Sequence, residues 1–256
     1  RTDGNFSHGF LVPLISVYAV WHRREDLHPS FSANGLLGFL AIFGGMGIIL
    51  FSRWYELSLL PRGVIAMFMS ALGVVLLTAG VAWVSLGWPQ VKRVLFPVGF
   101  LLLAVPIPSF LLNRITLPLQ SLAAALSCTA LRIVGIAVER QGNVLQFEAG
   151  TLGVAEACSG IRSLAVLTAV VLAMIHFQRL RKLTALGLIL AIAPAAVLGN
   201  MIRVFSSGVF YAWGWEHLAH GGPHELLGLV TFGIAMGLIL GLGYLLARRE
   251  ALEMSP

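Results

Sequence analysis

Charge is what this chain has least of. Only 11% of its 256 residues are Asp, Glu, Lys or Arg, where a soluble domain carries roughly 25%. That shortage excludes an ordinary water-soluble domain. With 58% hydrophobic residues, the chain reads as a polytopic membrane protein whose length is taken up by spans. Cysteine is nearly absent as well. Cys128 and Cys158 are the two present, too few for a disulfide framework, although one bridge between them stays open. No glycine-rich phosphate loop occurs; the glycines sit mainly inside apolar runs, where small residues let helices pack closely. Internal repeats and a cleavable signal-peptide pattern are missing too. The first residue is Arg1 rather than Met, which leaves room for a preceding part such as a further span. A net charge of +6 would suggest nucleic acid in a soluble protein. Here the positive charges fall mainly in short stretches between apolar runs, so they act as topology signals and imply no nucleic-acid partner.

What is present is a series of apolar runs. About 20 apolar residues cross the bilayer core. The candidate spans are Gly9–Trp21, Gly35–Ser52, Val64–Trp88, Val94–Leu112, Ser159–Phe177, Leu183–Phe205 and Leu226–Leu246. Pro106 and Pro108 are expected to end or kink the fourth, because proline removes a backbone donor. The predicted fold is therefore all-α: residues 1–256 form a single transmembrane helical bundle. Basic clusters follow the first, third, fifth and seventh spans: Arg23-Arg24, Lys92-Arg93, Arg179 with Arg181-Lys182, and Arg248-Arg249. Alternation places all four on one side, and the positive-inside rule makes that side cytoplasmic.

The opposite face then holds the segments 53–63, 113–158 and 206–225. In the second, Arg114–Ala137 is apolar but carries Arg114, Gln120 and Arg132. It reads as an interfacial helix or one packed along the bundle. After it, Gly142-Asn143 separates short β-prone runs, which predicts a small hairpin leading into Cys158.

The chemistry-bearing stretch is Glu156-Ala157-Cys158-Ser159-Gly160-Ile161-Arg162-Ser163. Polar groups are costly at a hydrocarbon boundary, so a cluster there marks a functional site. The same topology brings Arg203 and His224 to the outer level. A nucleophilic thiol needs a stabilised thiolate, a proton acceptor and a donor for the oxyanion. Cys158 at a helix N-terminus gains the first from unpaired N–H groups. An imidazole such as His224 exchanges a proton near neutral pH, and Arg203, always charged, can hold an oxygen as it becomes negative. Acyl transfer or peptide cleavage at the membrane surface is the chemistry this set supports. Glu156 and Arg162 would pair or orient the helix entry. Asn200, one helical turn before Arg203, would hold it in place.

Other readings compete. Each cysteine can be a packing residue, Arg203 can snorkel, and Cys128–Cys158 can form a structural disulfide. His217, His220 and His224, flanked by Glu216 and Glu225, have helical spacing for a metal, but Gly221-Gly222-Pro223 is expected to interrupt the helix. His224-Glu225 opens like a zinc-protease helix, yet residue 228 is Gly where that motif needs His. No metal or other cofactor is therefore expected. Ser159 is a weaker nucleophile than its neighbouring thiol. A transporter lined by Arg203 and the histidines is a further class, disfavoured by apolar span centres and by the lack of an inverted repeat.

Over nearly its whole length the chain resembles the exosortase/archaeosortase family of membrane-embedded cysteine transpeptidases. The matching segments are EACSGIRSL around Cys158, NMIR ending at Arg203, GPHE around His224, and Ser7-His8-Gly9-Phe10-Leu11-Val12-Pro13 near the start. The resemblance implies Cys158, Arg203 and His224 as the catalytic set. It implies substrates with a C-terminal sorting signal: a Pro-Glu-Pro-like motif, a transmembrane helix and a basic cluster. These would be cut on the extracytoplasmic face of a bacterial inner membrane and passed to an unidentified surface acceptor. Bacterial members often accompany exopolysaccharide production. Hydrolysis without transfer is the alternative use of the same site.

Overall fold

The computed structural model describes residues 11–28, 35–58, 63–148, 150–153, 160–219 and 221–253. They divide into two units, Arg1–Leu111 and Leu112–Pro256.

The first unit holds α1 (Leu11–His22), α2 (Leu36–Ser58), α3 (Val64–Leu86) and α4 (Trp88–Phe100). Helices α2 and α3 form an antiparallel hairpin zipped by small residues seven apart: Gly38, Gly45 and Ser52 on one, Ala66, Gly73 and Gly80 on the other. A Cβ built on Gly45 would lie 2.7 Å from the Gly73 carbonyl oxygen, and one on Gly80 would lie 2.7 Å from that of Gly38. Only a missing side chain permits such backbone approach, the usual device where lipid removes the hydrophobic drive between helices. Ser52 completes the seam, donating to the Ala66 carbonyl at 2.6 Å and pairing with the Ser70 hydroxyl at 2.8 Å. The outward faces carry Leu37, Phe39, Phe43, Leu50 and Met67 exposed, as lipid contact requires.

Lys92 and Arg93, expected between spans, lie instead inside α4. Pro97 lacks the N–H that would meet the Arg93 carbonyl; Arg23 Nη1 donates to that oxygen at 3.4 Å, while Arg93 Nη1 donates to the Asp26 carbonyl at 2.7 Å. The first two basic clusters thus meet at one end of this unit.

The expected fourth span, Val94–Leu112, is not one helix. Helix α4 gives way to a 3-10 turn at Leu101–Ala104, then a non-helical stretch through Pro106 and Pro108. Two prolines in three residues remove donors and push their predecessors to extended backbone. Chain direction is reset there, and α5 (Ser109–Ile133) begins.

The second unit adds β1 (Glu139–Gln141), β2 (Val144–Phe147), β3 (Gly150–Gly153), α6 (Gly160–Gln178), α7 (Lys182–Ala212), α8 (Glu216–Ala219) and α9 (Gly221–Glu253). The predicted hairpin is present and gains a third strand, in the antiparallel order β1-β2-β3. Its turn is Gly142-Asn143, with Gln141 facing Val144. Gly142 has φ +62° and Asn143 has no positive φ, the type II′ pattern that favours glycine first. Leu145 and Leu152 face each other across β2 and β3. Both are buried with Leu131 and Cys128 of α5 and Val204 of α7. Helix α5 is therefore packed into the unit rather than laid on its surface. A second core joins α6, α7 and α9 through Leu167, Val171, Leu188, Ile192, Ala235 and Ile239.

Four described helices are long and apolar enough to cross a membrane: α2, α3, α7 and residues Gly222–Glu250 of α9; α1 and Ser163–Gln178 are shorter apolar helices. At the start of α7 the Arg181 N–H donates to Glu250 of α9 at 3.3 Å, and the Thr184 hydroxyl donates to the same carboxylate. That contact sets the α6–α7 basic cluster beside Arg248-Arg249 at one end of the unit.

Candidate active site

The site lies at the other end of the second unit, where the antiparallel helices α7 and α9 pack. Arg203 is the twenty-first residue after Lys182, so it stands roughly 32 Å up α7 at 1.5 Å per residue. That is about the hydrocarbon thickness of a bilayer. His224 sits in the first turn of α9 and meets it there.

Gly221, Gly222 and Pro223 form the start of α9, an element separate from the short α8 that carries His217. The first four N–H groups of a helix have no intrahelical partner, so proline costs nothing at that place. His224 is consequently carried on a helix and is 8% exposed.

Arg203 Nη2 lies 2.9 Å from His224 Nε2. A guanidinium can only donate, so Nε2 is the acceptor and the ring is neutral with its proton on Nδ1. Nδ1–H then donates to Ser207 Oγ at 3.3 Å. Ser207 is fully buried and one turn beyond Arg203 on α7. It fixes the tautomer and ring orientation, as a third group does for a catalytic base.

The guanidinium reaches His224 by crossing Gly228, one turn along α9. A Cβ there would stand 2.7 Å from Arg203 Cζ and 2.9 Å from Nη2. Arg203 Nε is buried and, among the described residues, has no hydrogen-bond partner. It is a charged donor held out of water, which is expensive unless something is there to accept.

A small cleft opens beside it, lined by Ser163 of α6, Asn200 and Arg203 of α7, and Gly228, Thr231 and Phe232 of α9. Asn200 thus shares the Arg203 cleft, but no bond joins the two side chains among the described residues. Arg162 lies in the first turn of α6, and the next residue, Ser163, lines the cleft. Glu156, Cys158 and Ser159 lie outside the described residues, as do His220 and the Ser7–Phe10 part of the entry motif. Their flanks are placed: β3 ends at Gly153 and α6 begins at Gly160.

Two contributors were not singled out from sequence. Ser207 and Gly228 each stand four residues after a predicted site residue, Arg203 and His224, so i,i+4 spacing was the available signal. Cys128 is a free thiol, buried in the core beneath the sheet, its Sγ 3.9 Å from the Val138 carbonyl oxygen; it is a packing residue. Among the described residues no three His, Cys, Asp or Glu side chains gather as a metal set.

A comparison with protein families matches residues 1–241 to the transmembrane exosortase family (Exosortase_EpsH). Curated proteins and solved structures gave no match. The family match spans nearly the whole chain, and the chain carries several membrane-length helices: it is a multi-pass membrane protein and belongs to the transmembrane exosortase family.

Proposed function

We propose that this exosortase is a cysteine peptidase/transpeptidase that cuts C-terminal sorting signals at the extracytoplasmic face of the inner membrane and passes the new C-terminus to an acceptor. The observation that carries this reading is the Arg203–His224 pair beside a cleft whose wall includes Ser163, five residues after Cys158.

The chemistry follows from the groups present. Cys158 Sγ attacks the scissile carbonyl carbon after its proton passes to His224 Nε2, which Arg203 Nη2 vacates as the guanidinium turns toward the substrate. The carbonyl π pair moves to oxygen, and Arg203 Nε–H stabilises that oxyanion. Collapse expels the amine, which takes the proton back from His224, leaving a thioester. An acceptor amine, or water, then attacks the thioester, His224 takes its proton, and the thiolate leaves and recovers it. Glu156, Ser159 and Arg162 belong to the segment that presents the thiol; Asn200 lines the path to Arg203.

The test is co-expression with a reporter bearing a Pro-Glu-Pro sorting tail. Wild type should shorten the reporter and Cys158→Ala should not, with both proteins folded in the membrane. A product mass above that of the free acid indicates transfer, whereas a free carboxylate on every molecule leaves hydrolysis alone. Equal processing by Cys158→Ala would end the cysteine mechanism.

A further inference from the structure

The end of the second unit opposite the Arg203–His224 pair carries a patch of positive charge. Arg179, Arg181 and Lys182 lie where α6 turns into α7, and Arg248 and Arg249 lie near the end of α9; all are exposed. Glu250 draws the two groups together. Its carboxylate accepts the Arg181 N–H at 3.3 Å and the Thr184 hydroxyl, so it is engaged by a backbone group and a hydroxyl. Arg179, Lys182, Arg248 and Arg249 have no ion-pair partner among the described residues.

Orientation alone does not account for where these cations stand. A topology signal needs only positive charge near the end of a span. Arg179, however, has φ +52°. The Leu180 N–H closes on the Ile175 carbonyl at 3.4 Å, which makes Arg179 the left-handed residue of a Schellman cap, a place that favours glycine. Arg181 caps α7 and Lys182 is its first residue, with no acidic side chain in that turn. The positive end of a helix dipole disfavours cations. Two positions thus carry positive charge against local preference.

Beside the cations run two apolar stripes. Leu183, Leu186 and Leu190 are exposed on α7, and Leu238, Leu242 and Leu245 on α9. Their spacings place each set on one helix face. Leu183 adjoins Lys182, and Leu245 stands one turn before Arg248 and Arg249. The opposite faces of both helices are packed in the core through Leu188, Ile192, Ala235 and Ile239.

A partner that fits this surface has an anionic head and long apolar chains. A free phosphate would meet only the cations, and a neutral lipid only the stripes. We propose that this end of the second unit is a docking surface for an anionic phospholipid. Its phosphate lies among Arg179, Lys182, Arg248 and Arg249, and its acyl chains lie along the apolar faces of α7 and α9. Basic sites at the ends of membrane helices hold headgroups in this way. The assignment stands apart from the peptidase reading and does not involve Cys158.

The test uses the full chain in a neutral detergent, titrated with phosphatidylglycerol, with phosphatidylcholine of the same acyl chains, or with glycerol phosphate. Binding is read by native mass spectrometry and by the midpoint of thermal unfolding. Phosphatidylglycerol should bind and raise the midpoint by several degrees, since a ligand of the native state stabilises it; the other two should not. Arg248→Gln and Arg249→Gln should each weaken phosphatidylglycerol binding about fivefold, the worth of one cation near an anionic headgroup. Arg179→Gly separates folding from binding. Without lipid its midpoint should hold or rise, because glycine suits the left-handed backbone, while phosphatidylglycerol binding falls about fivefold. Arg140→Gln, the same change of charge on the exposed strand β1, should leave binding as it was. Equal effects of the two lipids would remove the charge preference. An equal effect of glycerol phosphate would make this a free-phosphate site, and an equal loss in Arg140→Gln would reduce it to net charge. Each of these overturns the assignment, as does unchanged phosphatidylglycerol binding in the three variants of the basic end.

Discussion

At the scale of single residues, the arrangement turns on how an arginine is held. Arg203 spends Nη2 on a neutral imidazole and, among the described residues, keeps Nε unsatisfied beside a cleft. Gly228 makes this possible, since any side chain there would occupy the space of the guanidinium. Gly228→Ala therefore separates two quantities that usually move together. Replacing glycine inside a helix by alanine favours the helix by up to about 1 kcal/mol, and the flexible end of an arginine can move aside at little cost. Thermal stability should hold or rise. Processing of a sorting-signal reporter should fall by about 10²-fold, the cost of a lost oxyanion donor. Full activity in Gly228→Ala, at matched membrane levels, would show that the guanidinium need not start from its place over Gly228 to serve the reaction.

At the scale of elements, the α2–α3 hairpin and the three-stranded sheet show two ways of packing without a water-driven core. The hairpin relies on backbone proximity at Gly38, Gly45, Gly73 and Gly80. Gly45→Val should push the helices apart, because its Cβ would meet backbone atoms of Gly73 and Leu77 that cannot yield. Overpacking of this kind costs about 1–3 kcal/mol, to be read as a lower midpoint of thermal unfolding in detergent. Gly47→Val, which meets nothing within 4 Å, should be nearly neutral; a Gly45→Val protein as stable as Gly47→Val would refute the seam. The sheet instead buries Leu145 and Leu152 against α5 and α7. Phe147 of β2 packs on Tyr211 with tilted rings, centroids 5.3 Å apart, so the strand paired with β3, which leads toward Cys158, is docked on the same helix that carries Arg203.

At the scale of the whole molecule, the distribution of charge gives each unit a basic end. In the first unit Arg23 and Arg93 meet at one end; in the second, Arg181-Lys182 meets the Glu250 end of α9, opposite the Arg203–His224 end. The positive-inside rule predicts that the basic ends face the cytoplasm. Labelling with a membrane-impermeant maleimide checks this in a background of Cys158→Ser, where Cys128 is buried. In cells with a permeabilised outer membrane, Glu148→Cys beside the sheet should label and Arg249→Cys should label only after lysis. The reverse pattern would put the site on the cytoplasmic side and defeat its role on exported substrates.

Much was legible in the sequence because it depends on local composition. Scarce charge and long apolar runs established a multi-pass membrane protein, and Gly142-Asn143 between β-prone runs marked the hairpin. The order of span, basic cluster and span placed Arg203 and His224 near one level, and the Cys158 motif with its two partner segments pointed to the family. Such signals survive in one dimension because hydropathy and turn chemistry act over a few residues. Pro106 and Pro108 end the fourth run, one of the two outcomes expected of them, but the bounds of that span were misplaced because a new helix starts at Ser109; whether a proline kinks or breaks depends on what its neighbours can satisfy. Tertiary structure alone decided which side of each helix faces which neighbour. Arg203 and His224 lie 21 positions apart, and their meeting depends on how far each helix is rotated about its axis, which hydropathy does not encode where every face is apolar. The same holds for the guanidinium over Gly228. Each is a long-range coincidence of packing, and together they turn scattered polar residues into one cleft.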